Sequence, residues 1–155
     1  MNKVENCPIC LKHIQPENKN YIFENDLIKV YHGPLESNII GYLYIETKRH
    51  VENWFELNEH EMLEMSNMVK MLSSILKKEI NAERVYTVTI SEAIRHLHIH
   101  VIPRGENENV KGLKLIEKAT QKKVDTKNEL TQMDIDILIS CVKEYLKIHY
   151  RPYRQ

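Results

Sequence analysis

Glycine is scarce in this 155-residue chain, with only four residues. That excludes a glycine-rich phosphate loop, and neither a Walker-type nor a GxGxxG pattern occurs. Cysteine is sparse as well. Cys7, Cys10 and Cys141 are odd in number and do not make a disulfide scaffold. No apolar run approaches the roughly 18 residues that a membrane-spanning helix needs. The first residues, Met1-Asn2-Lys3-Val4-Glu5-Asn6-Cys7, hold no apolar stretch of the kind a secretory leader carries. Charge of one sign is lacking too, because Lys+Arg and Asp+Glu both number 22. No global field then draws the chain to a nucleic-acid polymer or a membrane, although local groups can still hold a small anion. The expectation is a cytoplasmic protein.

What is present suits a packed fold. Hydrophobic residues make up 42% and charged residues 28%, which excludes a disordered chain. Tyr21–Glu24 and Leu27–Tyr31 read as a hairpin around Glu24-Asn25-Asp26. Gly41–Thr47 reads as a third strand. Asn58 opens a helix to about Ile80, with Glu61 at capping-box spacing. Its apolar face is set by Met62, Met65, Val69, Leu72, Leu76 and Ile80, while Glu64, Lys70, Lys77 and Lys78 fall off it. Val85–Ile90 and His96–Ile102 are the fourth and fifth strands, the last ended by Pro103 because proline cannot donate to a ladder. A second long helix runs from Thr131 to about Ile148, with Met133, Ile137, Cys141 and Tyr145 at four-residue steps and Ile135, Leu138, Ile139, Val142 and Leu146 widening the face. Residues 1–20 and 105–128 show no regular pattern beyond a turn at Cys7-Pro8-Ile9-Cys10. This order predicts an α+β fold with an antiparallel sheet. The length fits one domain over 1–155.

The chemistry concentrates in His96-Leu97-His98-Ile99-His100. Alternate residues of a strand share a face, so the three imidazoles line one side and the aliphatic residues the other. Imidazoles in a row repel when protonated and need partners when buried, so they are costly to leave unemployed. Two chemistries fit. A neutral imidazole can attack phosphorus while its neighbours orient it, or the three can hold a catalytic metal. Spacing alone does not separate them. Cys7-Pro8-Ile9-Cys10 has the spacing of half a zinc site, and His13 is one candidate to complete it.

The run His96-Leu97-His98-Ile99-His100-Val101-Ile102-Pro103-Arg104 resembles the motif of the histidine triad (HIT) family. Gly41-Tyr42-Leu43-Tyr44-Ile45-Glu46-Thr47-Lys48-Arg49-His50 is similar to the family strand that ends in a Lys-Arg-His segment. Cys7 and Cys10 resemble the pair in zinc-bearing members. The likeness covers about residues 5–105 and leaves 106–155 as a C-terminal helical extension. It implies a HIT-like antiparallel five-stranded sheet packed with a long helix, plus a C-terminal helix, in a homodimer. It also implies hydrolysis or transfer of a small-molecule nucleotide, such as a dinucleoside polyphosphate or a nucleoside phosphoramidate. His98 would attack the α-phosphate and form a nucleotidyl-histidine intermediate, with His100 donating to a phosphate oxygen. A structural zinc would be held by Cys7, Cys10, His50 and His96. His60 and His149 are left as surface residues.

This sequence departs from the family pattern at the substrate side. Many members carry Gln and Ser or Thr at four and three residues before the first histidine, where this chain has Glu92 and Ala93. Ser91 is the nearest hydroxyl that could contact a leaving group. The acidic residue that often meets ribose after the second strand has no counterpart; His32 and Gly33 stand there. These departures motivate a second reading, a nucleotide-binding regulatory or interaction module with little catalysis.

Overall fold

A computed structural model of the protein describes residues 4–15, 18–121 and 129–152. Helix α1 spans Pro8–Ile14. Strands β1 (Tyr21–Glu24), β2 (Ile28–His32) and β3 (Leu43–Thr47) precede helix α2 (Glu59–Ile80). Strands β4 (Ala82–Val88) and β5 (His98–Gly105) follow, then helices α3 (Leu113–Thr120) and α4 (Gln132–His149). The strands form one antiparallel sheet in the order β1-β2-β3-β5-β4. The α+β expectation therefore holds.

Local chemistry sets the boundaries. The Asn25 side-chain oxygen accepts from the backbone N–H groups of Leu27 (2.8 Å) and Ile28 (2.9 Å), which closes the β1–β2 turn. Asn58 and Glu61 exchange side-chain and backbone hydrogen bonds at the start of α2, and Asn81 at φ 50° ends the helix. Thr131 and Asp134 form the equivalent box on α4.

The core lies between one sheet face and helices α2 and α4. Ile28, Val30, Leu43, Ile45, Ile99 and Val101 point from the sheet into it. Met65, Met68, Leu72, Ile75 and Leu76 meet them from α2, and Ile135, Leu138, Ile139, Val142 and Leu146 complete it from α4. Three residues assigned to the helix stripes are instead largely exposed: Met62 (45%), Met133 (71%) and Ile137 (59%). On α4, steps of four slip about 40° around the helix each time, so the Met133 and Ile137 end of that series drifts off the packed face, while Met62 stands near the start of α2. Cys141 is half-buried at that margin.

Glu64, expected in solvent, is buried and accepts from Asn25 Nδ2 at 3.0 Å. Asn25 Nδ2 also reaches the Tyr150 hydroxyl at 2.9 Å, so the turn and the end of α4 enclose this carboxylate. Pro103 does not end β5, which runs on to Gly105. The β3 pairing stops at Val101, and Pro103 faces only Val85 of β4. With a partner on one side only, a missing N–H is tolerated.

Two helices appear where no regular pattern was read. In α1, Pro8 occupies the first turn and the Cys7 sulfur accepts from the Cys10 N–H. Helix α3 packs on the face opposite the main core, where Leu115 and Ala119 join Ile39, Tyr42 and Ile102 in a smaller cluster. Residues 122–128 of that stretch lie outside the described residues.

Candidate active site and metal centre

The sheet face away from α2 and α4 carries the polar residues. Tyr44 pairs with His100 and Glu46 with His98 across β3 and β5. Both histidines line a cavity of about 680 Å³, together with Lys12, Tyr44, Glu46 and Ser91. His98 is 8% exposed, and its Nδ1 lies 2.7 Å from the His96 carbonyl oxygen. A carbonyl only accepts, so Nδ1 carries the hydrogen and Nε2 keeps the lone pair. His100 is equally buried, with Nδ1 2.7 Å from the Tyr42 hydroxyl. Burial, aided by the neighbouring His98, pushes the His100 imidazole down to about 4, so it is neutral near pH 7.

His96 precedes β5 and does not join the other two at the cavity. Its Nδ1 stands 3.3 Å from Cys7 Sγ and 3.4 Å from Cys10 Sγ, and His50 Nδ1 is 3.3 Å from Cys10 Sγ. The ligand atoms of Cys7, Cys10, His50 and His96 all lie within 4.8 Å of one another. Nitrogen and sulfur ligands sharing one tetrahedral ion sit roughly 3.5 Å apart, so the donor set and its spacing fit a metal. The outer contacts fit as well. His96 Nε2 donates to the Thr47 carbonyl at 2.7 Å, which leaves Nδ1 as the ligating lone pair. Burial also pushes His96 down to about 4 and keeps it neutral. The Leu97 N–H donates to the Val51 carbonyl at 2.7 Å and brings the His50 segment beside His96. Arg49 binds Glu61 at the start of α2 through two hydrogen bonds of 2.8 and 2.7 Å, fixing that segment from the other side. Among the described residues this is the one histidine–cysteine grouping suited to an ion, so a metal on His96, His98 and His100 is not supported.

His13 is not part of this cluster. Its Nε2 is 2.8 Å from Glu46 Oε2, and Lys12 binds the other oxygen. Burial raises the Glu46 carboxyl, but the His13 contact and the Lys12 charge outweigh it and hold Glu46 below the usual carboxylate range. No pattern in the sequence pointed to this cluster, because its members come from α1 and β3. His32 is likewise committed. Its Nδ1 donates to Gly33 O at 2.8 Å and its Nε2 accepts from Gly41 N–H at 2.9 Å.

Ser91, Glu92 and Ala93 line the cavity on the loop between β4 and β5. Ser91 takes the left-handed backbone conformation at φ 54°, and its Oγ donates to the His96 carbonyl at 3.4 Å. Glu92 and Ala93 are exposed, as are His60 and His149.

An alternating-histidine strand, set in this antiparallel sheet with its cavity on one face, defines a histidine triad fold. The HIT domain family model matches residues 15–107, and the chain belongs to that family. The fold is shared with a zinc-bound histidine triad family protein from Mycobacterium smegmatis, at 11% identity and a TM-score of 0.67, covering 93% of this chain and 95% of that one. A hypothetical histidine triad nucleotide-binding protein from Sulfolobus tokodaii is 19% identical with a TM-score of 0.63, over 91% and 90% of the two chains. The diadenosine triphosphate hydrolase of Plasmodium falciparum is 14% identical with a TM-score of 0.59, over 87% and 81%. A comparison with curated proteins returns no significant match. No described helix is long and apolar enough to cross a membrane.

Proposed function

We propose that the protein is a nucleotidyl hydrolase or transferase of the HIT type, with His98 as its nucleophile. The observation that carries this is the 2.7 Å contact from His98 Nδ1 to the His96 carbonyl, which leaves Nε2 as the lone-pair nitrogen of a cavity-lining ring. Nε2 attacks the α-phosphorus of a small nucleotide. A phosphorus–nitrogen bond forms as the bond to the leaving group breaks, and the leaving group takes the electron pair. Water or another acceptor then attacks phosphorus and gives up a proton to the medium, the phosphorus–nitrogen bond breaks, and its electron pair returns to Nε2 of the neutral imidazole. His100 donates to a non-bridging oxygen, where charge builds in the transition state. Ser91 and Glu92 stand at the leaving-group side.

Cys7, Cys10, His50 and His96 would hold a structural zinc. Four protein ligands leave no open position, so the ion supplies rigidity and not a reactive water. His96 joins the two centres, because its ring faces the thiols while its carbonyl fixes the tautomer of His98.

Intact-protein mass spectrometry tests the proposal. The protein and its His98→Ala variant are mixed with adenylated and guanylated substrates and denatured rapidly at high pH. A nucleotidyl adduct in the wild type alone is expected, with turnover in the variant down at least about 10⁴-fold. Retained turnover in His98→Ala would overturn the mechanism. Exposed Glu92 and Ala93 at the cavity favour a second reading, nucleotide binding with little catalysis. Tight nucleotide binding with neither adduct nor product would select it.

A further inference from the structure

His100 has a partner of a different kind from that of His98. The two imidazoles are neighbours, with ring centroids 4.7 Å apart. A backbone carbonyl faces Nδ1 of His98, whereas a tyrosine hydroxyl faces Nδ1 of His100. A carbonyl can only accept, but a hydroxyl can donate. A neutral imidazole has one N–H, so a donor at Nδ1 forces the hydrogen onto Nε2. The two rings would then offer opposite functions side by side, a lone pair on one and a donor on the other.

We propose that Tyr42 is a positioning residue that donates its hydroxyl hydrogen to His100 Nδ1, so that His100 presents Nε2–H to a substrate oxygen. The opposite tautomer would turn a lone pair toward an anionic oxygen and repel it. The catalytic consequence rests on the function proposed above; the tautomer does not.

The tyrosine is built into its place. It is fully buried, and its ring lies at 21° to the His100 ring with centroids 5.9 Å apart. Burial, with the contact to the Tyr44 hydroxyl adding to it, pushes the Tyr42 hydroxyl well above the usual tyrosine range, so the hydrogen stays on the oxygen. Gly33 makes room for the ring, since a Cβ there would stand 2.7 Å from Tyr42 Cδ1. The Gly33 N–H also donates to the Tyr42 carbonyl at 2.6 Å. Tyr42 also belongs to the buried cluster of Ile39, Ile102, Leu115 and Ala119. Leu115 and Ala119 belong to α3, beyond the 15–107 stretch that matches the family. The C-terminal extension thus packs against Tyr42, and its Ala119, Thr120 and Gln121 line the histidine cavity directly.

The test is long-range ¹H–¹⁵N NMR of the full chain, as purified with its metal, labelled at histidine. The wild type is expected to show His98 with its hydrogen on Nδ1 and His100 with its hydrogen on Nε2. Tyr42→Phe keeps the ring and removes the donor, so His100 is expected to lose that fixed tautomer. Its kcat is expected to fall about tenfold with KM nearly unchanged, less than the loss for removing a direct transition-state donor. A wild-type His100 with its hydrogen on Nδ1 would overturn the proposal, and so would a Tyr42→Phe spectrum identical to the wild type. The wild-type spectrum needs no variant, so misfolding of Tyr42→Phe leaves the proposal decidable. The tautomers are read in the resting protein. Loss of the nucleophile assignment, seen as turnover by His98→Ala, is therefore a separate result.

Discussion

The two faces of the sheet are stabilised in different ways. The face under α2 and α4 is filled by aliphatic and methionine side chains that share one property, burial away from water. The opposite face holds Tyr42, Tyr44, Glu46, His98 and His100, and the titratable groups there meet partners of definite polarity. On the first face the energy is spread over many contacts, each exchangeable for another of like volume. On the second, one atom decides whether a nitrogen is a donor or a lone pair. Damage to the first face should therefore cost stability alone, while damage to the second should cost function, and stability as well where a metal is lost with it.

The largest stability effect expected lies on the second face, at the metal cluster. Cys7 and Cys10 bring α1 against His96, and nothing else in α1 is buried except Ile9. Chelation, or Cys7→Ser, should remove on the order of 5 kcal/mol, seen as a thermal midpoint roughly 10 °C lower or more. Metal analysis of the purified protein should give one ion per chain. A metal-free protein with an unchanged midpoint on chelation would show that this cluster holds no structural ion.

A smaller effect is expected from the core. Leu72 is fully buried between α2 and the sheet. Leu72→Ala should cost about 2–5 kcal/mol in denaturant unfolding. Turnover per folded molecule should change less than about twofold, since Leu72 lines no part of the cavity. A tenfold loss of turnover at a temperature where the variant is folded would show that the faces are coupled.

The same contrast explains what was legible beforehand. Periodic apolar burial is a local signal, so β1, β2, β3, α2 and α4 could be read, with the Asn58 and Thr131 caps marking helix starts. Alternation likewise placed His98 and His100 on one face, but it placed His96 there too, whereas His96 precedes β5 and turns its ring to the thiols. Resemblance supplied His50 and His96 as partners of Cys7 and Cys10. Helix α1 was not visible because it buries one residue and is capped by a cysteine. Helix α3 buries only Leu115 and Ala119, too few to set a period. Glu64 looked solvated because the groups that enclose it, Asn25 and Tyr150, are remote in sequence. Tyr42 read as an ordinary strand aromatic, since only the fold brings its hydroxyl to His100.

The smallest effect expected is a pH dependence specific to the second face. His100 titrates at about 4 when folded, against 6.5 when unperturbed. Burial is the main cause and the His98 charge adds to it, while Glu46 acts in the opposite direction. Below pH 6.5 the unfolded chain binds a proton at His100 that the folded chain refuses until about pH 4. The contribution to stability is thus whole above about pH 6.5, falls as the pH is lowered through that window, and is spent below about pH 4. It is worth on the order of 3 kcal/mol. Burial holds the His96 imidazole down as well, so the informative quantity is a difference. Urea unfolding of the wild type and His100→Gln should diverge between pH 7 and pH 4.5, with the variant losing less. Parallel curves would mean that His100 ionises as easily folded as unfolded. The second face would then be more open to water than its hydrogen bonds imply.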